Sequence, residues 1–433
     1  KSSLRYNFAT IITLPNLMND IYNIILNIGA FIFTFIFKLN IIPPKSKFKK
    51  FIEGQNNLLA NIKNEIPDSI TNVIWIHASS LGEYGVARPI IKKLKEEKGY
   101  TIIVTFFSPT GYEALEHHHP DVDHVFYLPL DTSKNAYAFL DIIRPQKAIF
   151  IISEYWLNYL SELKKREIPT YLISAIIKDN APFFKWYGSL FKKSLNTFTH
   201  FMVLNKKSES NLNKLGYFNV SLTGDPLFDN AIAVASTPWK DDIIEGFAGQ
   251  RDLFIAGSIS DKKDINLICS LANKFRDTHF VIIPHEITEE MLSQIKYNLD
   301  GNAIYYSECN ADTDFSSTQI LIVDCLGVLA YLYRYGKWAY VGGGFTPYLH
   351  SIIEATVYGL PVAFGPMIHR KVTPHQLIEL GIGNIVRSAS DIQKWFETIK
   401  DNPNKIKEIK DIALNYTQNN SGATSVIVNL LEK

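Results

Sequence analysis

The residues Trp75–Pro89 read WIHASSLGEYGVARP, and they hold the first chemically suggestive group of the chain. An apolar strand ends at His77. The small residues Ala78, Ser79 and Ser80 follow, then Leu81-Gly82-Glu83, and helix-type sequence resumes. Small residues and Gly82 let the backbone turn tightly and leave room for a ligand. Glu83 falls at or near a helix N-terminus, where backbone N–H groups favour an anion. By local pattern alone the plainer reading is stronger: Glu83 as a good helix-start residue. His77 reads equally well as a packed core histidine.

A second group lies far down the chain. Gly342-Gly343-Gly344 follow an apolar strand, and the stretch from His350 to Gly365 supplies a helix with Glu354 and then a Gly359-Leu360-Pro361 turn. Glycines after a strand allow backbone N–H groups to approach a phosphate, and a following helix end adds a favourable dipole. Glu354 can accept from ribose hydroxyls. A plain tight turn is the competing reading. The run His117-His118-His119 is read as a solvated helix end before Pro120, because spacing places no carboxylate partner for a metal beside it.

These residues need elements to hold them. From Thr71 onward, short apolar runs alternate with helix-like segments such as Val86–Lys98 and Ser208–Leu215. The runs are Val73–His77, Thr101–Phe107, Ala148–Ile152, Thr170–Ile173, Phe201–Leu204, Leu253–Ala256, Phe280–Ile283, Gln319–Val323, Ala339–Val341 and Val362–Phe364. Nearly continuous β-branched and aromatic runs suit parallel strands buried on both faces, and the alternation predicts βαβ units in doubly wound sheets. There are two series, and ligands bind outside the carboxyl ends of such strands. The expected fold is therefore α/β, with two Rossmann-like domains facing a cleft. The expected division is an N-terminal segment 1–44, an acceptor domain 45–215 and a donor domain 216–433, the last helix being free to pack back on the N-terminal domain.

The 433 residues are 46% hydrophobic and 20% charged, ordinary for a globular chain, and the net charge of +1 supplies no global field for nucleic acid. Three cysteines without CxxC spacing argue against a disulfide framework or a zinc knuckle. Residues 21–42, IYNIILNIGAFIFTFIFKLNII, form an apolar stretch long enough for a membrane helix, interrupted by Asn23, Asn27 and Lys38. Pro43-Pro44 end it, and Lys45, Lys47, Lys49 and Lys50 follow, the pattern of a cytoplasmic flank on an anionic leaflet. A membrane anchor or interfacial helix is expected here, against the alternative of a helix packed on the protein's own core.

The first turn also resembles that of the Kdo transferases, which add 3-deoxy-D-manno-octulosonic acid to a lipid A precursor. Their Trp-x-His-(small)-x-Ser-x-Gly-Glu run, with the Glu as catalytic base, falls here on Glu83. The likeness continues in order through TFFSPTGYEAL (Thr105–Leu115), FYLPLDTSKNAYAFL (Phe126–Leu140) and SEYWLNYL (Ser153–Leu160), where Glu154 and Trp156 fall on an acceptor-side motif. It extends to VSLTGDPLFDN (Val220–Asn230) and YVGGGFTPYLHSIIEATVYGLPVAFGP (Tyr340–Pro366).

The resemblance implies a GT-B glycosyltransferase that moves Kdo from CMP-Kdo to a phosphorylated, acylated disaccharide with inversion, at the cytoplasmic face of the inner membrane. Nucleic acid is no expected partner. It implies acceptor contacts from His77, Ser80, Gly82, Glu154 and Trp156. On the donor side it implies Gly224, Asp225, Ser258, Pro284, His285, Gly343, Gly344, His350, Ser351 and Glu354, with the amides of Gly343 and Gly344 stabilising the leaving phosphate. A monophosphate donor needs a metal less than a diphosphate does, and no Asp-x-Asp stands at a strand end, so no metal or other cofactor is expected.

Four stretches depart from the family pattern, all on the donor side. Pro226-Leu227 follow the Thr223-Gly224-Asp225 turn; Lys262 and Lys263 stand in AGSISDKKD; Ser351 follows His350; and Ile283-Pro284-His285-Glu286 lacks the Pro-Arg-His arrangement. They keep two alternatives open: another GT-B enzyme with a UDP or GDP donor, and a catalytically weakened homologue that binds lipid surfaces.

Overall fold

Val73–His77 (β1) has no polar residue before His77 and is buried at every position. It lies at the centre of a sheet whose other strands are Thr101–Phe106 (β2), His124–Tyr127 (β3), Lys147–Ile151 (β4), Thr170–Ala175 (β5), His200–Val203 (β6) and Val220–Leu222 (β7). The order is β3-β2-β1-β4-β5-β6-β7, and every pairing is parallel. The chain goes outward from β1 to β3, then returns to β4 on the other side of β1, so the strand order reverses between β1 and β4. In doubly wound sheets that reversal opens the crevice where ligands sit. The structure, a computed structural model, describes residues 21–26, 28–29, 47–116, 120–185, 188–369 and 371–433.

A second sheet repeats the plan. Its strands are Leu253–Ile259 (β8), His279–Pro284 (β9), Ala303–Tyr305 (β10), Ile320–Ile322 (β11), Gly336–Val341 (β12), Val362–Phe364 (β13) and Gly383–Ile385 (β14). The order is β10-β11-β9-β8-β12-β13-β14, again all parallel, with the reversal between β8 and β12. Two separate apolar clusters fill its two faces, one around Phe247, Tyr333 and Phe364 and the other around Phe254, Trp338 and Phe396.

The chain divides into two compact units, Lys1–Pro226 with Gly422–Lys433, and Leu227–Ser421. The division thus falls after Pro226 rather than at 215/216, because Val220–Leu222 pairs in parallel with β6 as the edge of the first sheet. The helix Ala423–Leu431 rests on the helix Leu81–Lys98 of the first unit, burying Ile427, Val428 and Leu431. Lys147, at the start of β4, fastens its end by bonding the Leu431 carbonyl (2.5 Å) and the Glu432 carboxylate (3.0 Å).

Most of the apolar stretch 21–42, with the Pro43-Pro44 stop and Lys45, lies outside the described residues, as does the run His117–His119. Of that stretch, residues 21–26 and 28–29 are helical. Tyr22 donates to Asp131 (2.6 Å) and Asn23 accepts from Asn158 (2.9 Å), while Ile21, Ile24, Ile25 and Ile28 are exposed. Among the described residues no helix is long and apolar enough to cross a membrane.

Candidate active site

Beyond β1 the chain makes a tight turn, and Ser80 begins the helix Leu81–Lys98 with a reciprocal cap. The Ser80 hydroxyl accepts from the Glu83 N–H (3.4 Å), and the Glu83 carboxylate accepts from the Ser80 N–H (3.0 Å). The plain reading of Glu83 as a helix-start residue is therefore correct, and it does not exhaust the residue. Burial, then the charge of Glu154, push its carboxyl up to about 7, against the hydrogen bonds from Ser80 and Ser79. Such a group holds a proton near neutrality and can exchange it, as a general base requires.

Glu154 comes from the turn after β4, on the other side of the strand reversal. Ile152, two residues before it, has φ of 65°. That conformation is costly for a β-branched residue, and strain of this sort gathers at functional turns. Trp156 Nε1–H donates to Glu154 Oε2 (2.7 Å), and His77 Nε2 approaches the same oxygen at 3.5 Å. Burial works to raise Glu154, but hydrogen bonds from His77, Ser79 and Trp156 outweigh it and hold the carboxyl below the usual carboxylate range. The two glutamates are thus set apart by their surroundings: one ionised and braced, the other near its titration point.

His77 does not take the expected role of touching a ligand. Its side chain is wholly buried, with Nδ1 2.9 Å from the Thr105 hydroxyl, which also accepts from Trp75 Nε1–H (2.9 Å). With Thr105 O–H donating a hydrogen bond to Nδ1, the ring proton sits on Nε2 and faces Ser79 and Glu154. His77 therefore holds Glu154. Asp131 braces the same turn from beneath: buried, it accepts from the N–H groups of Asn158 (3.3 Å) and Tyr159 (3.1 Å), at the start of the helix Leu157–Lys165. Trp156, the N-cap of that helix, supplies no side-chain cap, so Asp131 does so from a distance. The sequence around Asp131 carries only the signal of a loop before the helix Ser133–Ile143.

In the second unit, β8 bulges between Ala256 and Ile259, with Ser258 at φ 54°. The turn places Ser260 Oγ 2.8 Å from the Ser258 carbonyl and 2.8 Å from His350 Nε2. A hydroxyl has one proton, and the carbonyl can only accept it. Ser260 therefore accepts from His350 Nε2–H, which leaves Nδ1 of a neutral ring as an acceptor. Burial, then His285 and Lys371, push His350 down to about 4, consistent with that neutral form. The rings of His285 and His350 lie 4.0 Å apart. Glu354 is pushed up to about 7 by burial, against a hydrogen bond from Ser351.

Residues 50–230 match the family model described as 3-Deoxy-D-manno-octulosonic-acid transferase (kdotransferase). Over that first domain, and among its curated relatives, the chain is similar to the Kdo transferases. It is a glycosyltransferase, 25% identical over 325 residues to the 3-deoxy-D-manno-octulosonic acid transferase of Aquifex aeolicus, covering 74% of this chain and 83% of that one. A bifunctional glycosyltransferase/methyltransferase of Fusobacterium nucleatum is 26% identical over 376 residues; the match takes in 84% of this chain and 58% of that protein. Among solved structures, the UDP-GlcNAc 2-epimerase of Neisseria meningitidis superposes with a TM-score of 0.60 at 16% identity, over 84% of this chain and 100% of that one. MurG of Acinetobacter baumannii superposes with a TM-score of 0.50 at 12% identity, over 84% and 99%. These likenesses establish two parallel-sheet α/β domains of GT-B type.

Set against the Kdo transferase pattern, the first domain gathers Glu83, Ser80, Gly82, Glu154 and Trp156 at one strand reversal, with Gly82 exposed. The second gathers Ser258, His285 and His350 at the other, with Pro284 buried at the end of β9 and Ser351 beside Glu354. Gly224, at φ 82°, and Asp225 fall in the first unit, outside this second group.

The expected part of two glycines changes. The Gly343 N–H is given to Asp264 (2.9 Å), so it is not also available to a phosphate. A Cβ on Gly344 would lie 2.5 Å from the Gly365 nitrogen, so close backbone packing already demands that glycine. The helix after His350 is only Ile353–Thr356, too short to supply the expected dipole.

Proposed function

We propose that this chain is a Kdo transferase that moves Kdo from CMP-Kdo to a lipid A precursor with inversion. Glu83 acts as the base on the acceptor hydroxyl, the first domain binds the acceptor and the second binds the donor. The observation that carries the reading is Glu83 itself: a capped, half-buried carboxylate at a strand reversal, held near neutral titration by burial and by Glu154. In the step, the Glu83 carboxylate takes the hydroxyl proton, the acceptor oxygen bonds to the anomeric carbon of Kdo, and CMP leaves with the electrons of the broken bond. A base of this kind typically contributes ~10²–10⁴-fold. Glu354 and the lone pair at His350 Nδ1 suit the hydroxyl groups of a nucleotide sugar. No metal is required by this scheme, and none of its steps uses one.

The reading includes a membrane surface. Lys47, Phe48, Lys49 and Lys50 begin the helix Lys47–Gln55, and Phe48 is exposed. Together with the isoleucines exposed on residues 21–28, they suit attachment at the cytoplasmic face of the inner membrane. The test is to incubate the full chain with CMP-Kdo and lipid A precursor and weigh the product. Glu83→Ala should lower transfer by at least ~10²-fold while still binding CMP. Near-parental turnover by that variant defeats the assignment of Glu83, and displacement of the donor by UDP or GDP rather than CMP defeats the assignment of the donor.

A further inference from the structure

Two irregular turns carry the donor half of the proposed site. Ser258, in the β8 bulge, and Gly343, after β12, both have positive φ, 54° and 81°. Neither turn is closed by its own backbone alone. Between them stands Asp264, with no exposed surface, three residues into the helix that Asp261 caps.

The Asp264 carboxylate serves three donors from three places. Oδ2 accepts from the N–H of Ser260 (3.0 Å) and from the N–H of Gly343 (2.9 Å), and Oδ1 accepts from the Tyr340 hydroxyl (2.5 Å). One side chain therefore ties the turn after β8 to the turn after β12, the two strands that flank the reversal of the second sheet. The fit is close enough to require glycine at 342: a Cβ there would lie 2.1 Å from the Ser258 carbonyl and 2.8 Å from Asp264 Oδ2. Ser260, fixed at its N–H by Asp264, is the residue that orients His350 through its hydroxyl. An ionised carboxylate offers acceptors only, whereas an amide would turn an N–H₂ group toward one of the three donors. The role thus calls for this acid and not merely for a polar side chain of its size.

We infer that Asp264 is a positioning residue of the donor site, holding the Ser258–Ser260 and Gly342–Gly344 turns and, through Ser260, His350 in the arrangement that receives a cytidine monophosphate group. This rests on the reading of the second domain as the CMP-Kdo side. Asp264 is buried and has its acceptors engaged, so it acts through the turns and not on the ligand.

The test compares Asp264→Asn and Tyr340→Phe in the full chain, with CMP as the probe in titration calorimetry and thermal melting alongside. Asp264→Asn disturbs the backbone bonds and should weaken CMP by roughly ten- to hundredfold, the loss expected when hydrogen bonds to a buried charged group are broken. It should also raise the donor KM and leave the acceptor KM unchanged. Tyr340→Phe removes one donor but spares both backbone bonds, so it should lower the melting temperature with CMP affinity kept within about threefold.

A folded Asp264→Asn that binds CMP like the parent overturns the inference. Equal losses of affinity in both variants do the same, because they would mark general destabilisation. Hydrogen exchange on the unaltered chain gives an arm free of folding defects: CMP should slow exchange in the segments 256–262 and 342–352 together, and protection of only one overturns the coupling. A parent chain that does not bind CMP overturns the donor reading and takes this assignment with it.

Discussion

A carboxylate in the first turn of a helix ordinarily contributes a capping bond, about 1 kcal/mol. Glu83 makes that bond, and burial and Glu154 also bring it to about 7. The pair predicts a pH signature. As a base Glu83 works only when ionised, so the rate should rise with pH through a limb near 7. Replacing Glu154 with Gln removes a negative charge that favours the protonated form of Glu83, while an amide oxygen can still accept from Trp156. The limb should therefore move to lower pH, leaving the variant relatively more active at pH 6 than at pH 8. A pH–rate profile of Glu154→Gln with an unmoved limb would separate the two residues.

Glu83 was legible in the sequence through its turn, but its titration was not, because Glu154 stands about seventy residues away and meets it only across the strand reversal. Asp131 and Asp264 escaped notice for a related reason. Each bonds to backbone far from it in the chain, and the signal left in the sequence is a loop or helix start.

Among the elements, the central strands announced themselves and the outer ones did not. His124–Tyr127, Val220–Leu222, Ala303–Tyr305 and Gly383–Ile385 are the four sheet edges, and none carries the long apolar run that marks a strand in the sequence. A central parallel strand is covered on both faces and carries an unbroken apolar run. These edge strands have three or four residues and are only partly buried, so their composition resembles the loops around them. The missing β7 also moved the domain division.

The turns are more sharply constrained than the edges. Gly342→Ala should disrupt the contact between the β8 bulge and the turn after β12, since its Cβ would meet backbone oxygen at 2.1 Å and not a movable side-chain tip. Overpacking of that kind costs about 1–3 kcal/mol. For a domain of this size each kilocalorie lowers the melting temperature by roughly 2–4 °C. Thermal melting of the variant gives the value, and an unchanged midpoint would mean that the two turns are free to move apart.

At the scale of the whole molecule, the first domain is assembled from two segments separated by the second domain. Removing residues 422–433 strips Ile427, Val428 and Leu431 from the helix Leu81–Lys98 and leaves Lys147 without two of its partners. Each fully buried aliphatic side chain contributes roughly 1.5–3 kcal/mol, whereas the partly exposed ion pair contributes under about 1 kcal/mol. Loss of apolar cover should therefore dominate. The truncated chain should show an earlier unfolding transition for the first domain, with the second domain's core unaffected. Limited proteolysis followed by mass analysis would show cuts confined to 47–226 at the lower temperature, and cuts that begin within 227–421 would contradict the assignment of the helix.

That same helix has a bearing on how the protein is made. The ribosome releases residues 47–226 early, but their covering helix emerges only after roughly two hundred further residues. At about 5–20 residues per second, the nascent first domain waits on the order of ten to forty seconds with an apolar stripe uncovered. In that interval it is open to chaperones and proteases. Synthesis of the helix Ala423–Leu431, and not the early folding of 47–226, is the event that closes the domain bearing Glu83.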